Sequence, residues 1–319
     1  MKKRESNMNS KIIAALLTAA AAASLLTGCG APQNTAAQGA QTTQSSQTEQ
    51  GKASDAEQAK MLEGLKTVLS AEGAEKAALE EMGKDMPSMS SENASEMLLA
   101  FEKYQQDALV NETFISDGLA AKLSASGLYS EADINDPDKI KDADAKAAVQ
   151  DILDRGYKII VPEGMYQTVI NYSVYRQFEE YVSGDDAAYI EIEAAESDGR
   201  TLEDAGIIIP ISEVYARAAA CGDFLEKWPQ SQRAEAVKVL YDTYIDSYFY
   251  GQNNTPAFDY TTKKLNQEFR DSYEAAAKDD TPVGKAAAEY LAALEKNGYA
   301  LTDDVSACRD KLVAELEGK

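Results

Sequence analysis

Histidine does not occur anywhere in the 319 residues of this chain. Its absence removes the commonest general base, the commonest zinc ligand and the one side chain that ordinarily changes charge near neutral pH. Ser-His-Asp and Cys-His catalysis, and any HExxH metal site, are excluded with it. Cysteine is scarce: only Cys29, Cys221 and Cys308 are present. No stretch beyond the first 28 residues approaches the ~20 uncharged apolar residues of a membrane-spanning helix. Positive charge is in deficit, with 31 Lys and Arg against 54 Asp and Glu, a net of −23. An excess of that size opposes binding to nucleic acid and to anionic head groups, both of them polyanions. It suits a solvated acidic exterior and partners that carry positive charge.

What is present begins with Lys2, Lys3, Arg4 and Lys11, followed by an apolar run from Ile12 to Leu26. A basic segment followed by a short apolar one is the pattern of a secretory signal peptide. The run closes on Leu26-Thr27-Gly28-Cys29. That tetrapeptide resembles the lipobox of bacterial lipoproteins, a leucine, two small residues and a cysteine. The resemblance implies cleavage of residues 1–28, diacylation of Cys29 and attachment to the extracytoplasmic face of the cell membrane. Removing residues 1–28 leaves 27 basic and 53 acidic residues, a net charge of −26. Residues 29–55 form the next unit, and from Gly30 onward they contain no Val, Ile, Leu, Met or aromatic residue. Such a segment buries too little apolar surface to offset its ordering entropy, so it reads as a disordered tether. At about 25 residues its span is roughly 25–30 Å.

From Asp55 the composition turns to Ala, Leu, Glu and Lys at helical spacing. Asp55 reads as an N-cap ahead of Met61, Leu62, Leu65, Val68 and Leu69. Ala74–Met82 is a second helix, and a third starts at Ser91 or Asn93 with Met97, Leu98, Phe101, Tyr104 and Leu109 on one face. Gly118, Gly127 and Asp133–Asp138 are loop signals, which allow a subdivision near 130–135. Asp136-Pro137 opens a helix to Asp154 or Arg155, with Gly156 as a left-handed stop. Tyr157–Val161 reads as a brief extended connection that requires no sheet. Met165–Val182 reads as a helix, from Tyr166, Ile170, Val174, Phe178 and Tyr181. A further helix starts at Asp185 and stops near Gly199. Ile207–Ile209 leads through Pro210 into a helix that reaches Trp228. The expected fold class is all-α, an irregular array of helical hairpins occupying 56–319.

Residues 224–241, FLEKWPQSQRAEAVKVLY, carry an aromatic-Pro-x-Ser corner between two helices. This resembles the corner of tetratricopeptide-like repeats: proline stops one helix, serine caps the next and Ala234 allows close packing. Tyr189–Asp198 and Tyr250–Tyr260 resemble segments of Gram-positive envelope lipoproteins. That likeness implies helical architecture and surface anchoring and brings no activity with it. Glu196-Ser197 resembles the catalytic glutamate of lytic transglycosylases, but the glutamine motif of those enzymes has no counterpart near Gly206–Pro210. Asp133–Asp138 begins like a calcium loop and lacks the glycine and glutamate an EF-hand needs. No metal or cofactor is expected.

The loop Gly251–Tyr260 is the candidate ligand-binding segment, with Tyr250, Asn253, Asn254, Asp259 and Tyr260 as its polar and aromatic contacts. The same residues also suit ordinary turns. Clustered tyrosines such as Tyr241, Tyr244 and Tyr248 fall at helical spacing, so core packing accounts for them better than a ligand surface does. Cys221 and Cys308 read as buried thiols in preference to a disulfide. The expected function is a lipid-anchored extracytoplasmic binding or scaffold module, its partner an envelope protein or the cell wall. The alternatives are a cell-wall hydrolase using carboxylates such as Glu163 or Glu196, and a solute-binding lipoprotein of a transporter.

Overall fold

The computed structural model describes residues 51–318; the candidate signal peptide, Cys29 and nearly all of the tether lie outside the described residues. The fold class is all-α. Helices α1 (Asp55–Val68), α2 (Glu75–Asp85), α3 (Ser91–Asn111), α4 (Asp117–Ser126), α5 (Glu131–Ile134) and α6 (Ala143–Asp154) come first. A hairpin of β1 (Tyr157–Ile160) and β2 (Gln167–Ile170) follows, then a 3-10 segment at Tyr172–Phe178 and α7 (Gly184–Asp198). A second hairpin, β3 (Leu202–Glu203) and β4 (Gly206–Ile207), leads into α8 (Ile211–Lys227), α9 (Ala234–Tyr250), α10 (Gln267–Ala276), α11 (Pro282–Lys296) and α12 (Asp303–Glu317).

Local chemistry sets most of these boundaries. Ser54, one residue before the expected Asp55, caps α1, and its N–H donates to Glu57 at 2.9 Å. Ser90 caps α3 by accepting from the Asn93 N–H at 3.2 Å. Gly127 and Gly156 adopt positive φ at the ends of α4 and just past α6, as the left-handed stop requires. Gly118, a loop signal in the sequence, instead lies in the first turn of α4 behind the cap of Ser116.

Four expectations give way. Asp136-Pro137 starts only a 3-10 turn, Pro137–Lys139, after which Ile140 is buried in extended conformation. The helix begins at Ala143, where Asp142 accepts the Ala145 N–H and supplies the better cap. Tyr157–Val161 has a partner after all: β1 pairs antiparallel with β2 from Tyr157↔Ile170 to Ile160↔Gln167. The helix expected over Met165–Val182 is therefore absent. A reversal at Glu163-Gly164, both at positive φ, returns the β-branched Thr168-Val169-Ile170 to the strand before it. Ile207 likewise belongs to a hairpin, turned through Asp204 and Ala205 at positive φ, and only after it does Pro210 open α8.

The interior consists of two clusters. The first gathers α1–α6 and the first hairpin around Met82, Met97, Phe101, Val149 and Tyr157, with Phe178 closing it. Ile134 is fully buried in this cluster, so the 130–135 stretch lies within it. The second runs from Tyr189 to Leu316 and centres on rings of α9, α10 and α11: Tyr248, Phe249, Tyr273 and Tyr290. Tyr172 packs against both clusters. The α8–α9 corner forms as expected at Trp228, but a Cβ on Gly222 would come within 3.3 Å of the Tyr241 ring, so Gly222 sets the closeness there. Ser231 is not the cap of α9; its hydroxyl accepts the Arg233 N–H and donates to Asp185. Both thiols are free: Cys221 is fully buried and Cys308 partly so.

Candidate functional site

The segment singled out in the sequence is a folded connector. Asn254 donates its side-chain N–H to the Asp204 carbonyl and its backbone N–H to that of Ala205 at 2.9 Å, tying the loop to the β3–β4 turn. The Tyr260 hydroxyl donates to the Asn253 carbonyl at 2.9 Å. Asp259 accepts from the Thr261 and Thr262 N–H groups and the Thr262 hydroxyl, and these bonds hold its carboxyl below the usual range. Tyr250 points away to α12, where its hydroxyl meets Asp310 at 3.0 Å and its ring lies under the Arg309 guanidinium. Of the five predicted contacts, Tyr260 meets Asn253 through the Asn253 backbone carbonyl, and the Asn253 side chain is exposed. Gly251 anchors the arrangement at φ +71 and ψ −169. A Cβ there would lie 2.6 Å from the Thr255 carbonyl oxygen and closer still to the Ala257 nitrogen. Gly251→Ala is expected to cost at least about 1–3 kcal/mol through backbone strain. Urea unfolding measures it, and a loss under about 0.5 kcal/mol would show that the loop adapts.

Glu196 and Glu163 also have definite places. Glu196 accepts from Thr201 N–H at 2.9 Å, Thr201 hydroxyl at 2.6 Å, Arg217 at 2.8 Å and Tyr244 hydroxyl at 2.8 Å. Four donors on one carboxylate make it a tie between α7, α8 and α9. Glu163 is exposed in the turn of the first hairpin. Asp133, in the acidic stretch, pairs with Lys139 at 2.5 Å. Among the described residues no group of three or more Asp, Glu or Cys side chains is placed to hold a metal ion.

A concave feature lies elsewhere, between α7 and α8. A groove of about 610 Å³ runs along both helices. Positions Ala188, Ile192 and Ala195 of α7 face Ala216, Ala220 and Phe224 of α8, each set recurring every three or four residues on one helical face. Small side chains here leave room that leucine or phenylalanine would fill. Trp228 closes one end, packed on Phe224 with ring centroids 5.3 Å apart and against α7 near Gly184. Arg217 forms the other end. It donates to Glu196, to the Gly199 carbonyl at 2.7 Å and to Glu213, while its Nε is buried with no partner. Glu191, Glu213 and Asp223 line the mouth. Sequence reasoning singled out the Phe224–Tyr241 corner but not this groove. Its signal is faint: alanines at helical spacing and the chain's one tryptophan.

Beneath the Trp228 end lies a charged joint between the two cores. Glu102 of α3, only 2% exposed, accepts from the Tyr172 and Tyr189 hydroxyls at 2.7 Å each and pairs with Arg233. Arg233 also donates to Asp186 at 2.6 Å and lies 4.3 Å above the Tyr189 ring. Burial works against the Arg233 charge, but Glu102, Tyr189 and Asp186 more than offset it and hold its pKa high. Glu193, on the same helix as Asp186, is pushed up to about 8 by desolvation first and then by Glu102 and Glu196. The groove therefore stands on a wall fixed by hydrogen bonds on both sides. No protein-family model matches the chain, and neither a curated protein nor a solved structure does.

Proposed function

We propose that the protein is a lipid-anchored helical binding module on the extracytoplasmic face of a bacterial cell membrane, with its ligand seated in the α7–α8 groove. The groove carries this reading. Its volume of about 610 Å³ falls among ordinary small-ligand sites, which are mostly apolar with a few polar groups. Its walls are held by Arg217 on one side and the Glu102–Arg233 joint on the other, and fixed walls bind without the cost of ordering them. The location rests on Leu26–Cys29 and on the polar residues that follow. No helix among the described residues is long and apolar enough to cross a membrane, so the acyl chains of Cys29 would be the attachment.

Two measurements test the two parts. Cys29→Ala is expected to move the protein from the membrane fraction to the soluble fraction, with its thermal unfolding unchanged. Continued retention in the membrane would overturn the anchor. Ala220→Phe, which fills the groove from the exposed face of α8, is expected to abolish ligand binding and leave the fold intact. Unaltered binding in that variant would move the ligand to another surface.

A further inference from the structure

Lys227, the last residue of α8, holds its Nζ 4.2 Å from the centre of the Trp228 ring. It forms no ion pair among the described residues, although Asp223 lines the groove one helical turn earlier. Asp223 is exposed. The ammonium thus lies against the indole face, and Asp223 is left without an ion-pair partner among the described residues. The face of an indole ring is the best side-chain platform for a cation, and Phe224 packs beside it. Ring face, free carboxylate and an apolar trough of alanines are continuous in one groove.

From this geometry we infer that the groove takes an organic ammonium: the cationic group lies over Trp228 beside Asp223, displacing Lys227, and an apolar body lies along Ala220 and Ala216. The inference rests on the groove being the ligand seat and names the class of ligand it admits. Charge agrees with it. Of the three carboxylates that line the groove, Glu191 pairs with Arg176 and Glu213 with Arg217, which leaves Asp223 as the one without an ion-pair partner among the described residues. A chain of net charge −23 repels anionic competitors at longer range. Lys227 acts here as an internal competitor, so removing its charge should strengthen binding.

Trp228 is the sole tryptophan of the chain, so its emission reports on the groove directly. The full chain, in neutral maltoside micelles, is titrated with 4-phenylbutylammonium, 4-phenylbutanol and 4-phenylbutyrate. The expected order is ammonium about tenfold tighter than alcohol, as a partly desolvated cation–π contact of about 1–2 kcal/mol provides, with no saturation by the carboxylate. Asp223→Asn is expected to weaken the ammonium severalfold and leave the alcohol unchanged. Lys227→Gln is expected to tighten the ammonium. An alcohol that binds as well as the ammonium, or a Lys227→Gln variant that binds it more weakly, overturns the ligand class while leaving the groove as a seat. Absence of saturable binding by all three probes overturns the groove as well.

Discussion

Arg233→Met is expected to lower the unfolding free energy by about 3–5 kcal/mol, because it leaves buried carboxylates without their counter-charge. Glu102 is 2% exposed and Asp186 is 8% exposed, and both lean on this one guanidinium. The methionine supplies similar apolar volume, so lost packing contributes little and the penalty is electrostatic. Glu102 would keep its two tyrosine donors, Tyr172 and Tyr189, which stabilise its charge only in part. The double variant Glu102→Gln, Arg233→Met is therefore expected to recover a share of the loss. Chemical denaturation checks both, through the midpoint at constant slope. A single variant within about 1 kcal/mol of the native protein, on the same principle of uncompensated burial, would show that the joint is wetter than its exposures indicate.

Phe249→Ala is expected to cost about 3–5 kcal/mol by a different route, cavity formation. Its ring is fully buried and has Tyr248, Tyr290 and Tyr273 at centroid separations of 5.3, 5.7 and 6.1 Å. Two of those neighbours are held in place: the Tyr273 hydroxyl donates to the Tyr248 carbonyl at 2.7 Å, and the Tyr248 hydroxyl meets Ser272. Tyr248 and Tyr273, tied by these hydrogen bonds, resist collapse into the space that phenylalanine leaves, while the Tyr290 hydroxyl has no partner and its ring is held by packing alone. Phe249→Leu should cost less than half as much, since it keeps most of the volume. Equal losses for the two would show that aromatic geometry, rather than filled space, holds this core together.

The sequence revealed helices where an apolar stripe recurred at helical spacing, as in α1, α3 and α9, while the capping residues fell one or more positions from those expected. It misled where the apolar spacing fitted two structures. Tyr166, Ile170, Val174 and Phe178 suit a helix by their four-residue steps. Yet the decision lay with a turn at Glu163-Gly164 and with the open edge of β1, neither of which periodicity registers. The tyrosines at 241, 244 and 248 were legible as core because position alone determined their face. The charged joint was not legible, since Glu102 and Arg233 stand 131 positions apart and only tertiary packing brings them together. The groove was hidden for a related reason. A groove is space left by small side chains on two helices, and a single sequence shows each alanine only as a good helix former. In the loop at Gly251–Tyr260 much of the polar density goes into the hydrogen bonds of a tight connector, through Asn254, Asp259 and Tyr260.

Were Cys29 the anchor and the groove the ligand seat, as proposed, a pull between them would pass through both cores. The polypeptide enters the first core at Ala53, whose N–H donates to the Ser88 carbonyl at 2.8 Å and whose carbonyl accepts from Gln58. The groove is built on α7 and α8, beyond the 3-10 segment. The first core meets α7 through Glu102, Arg233 and Asp186, the Ser95–Ser183 contact at 2.9 Å and the packing of Ile190. Under the proposed anchoring and ligand seat, these contacts would share with the backbone any load between the tether and the groove.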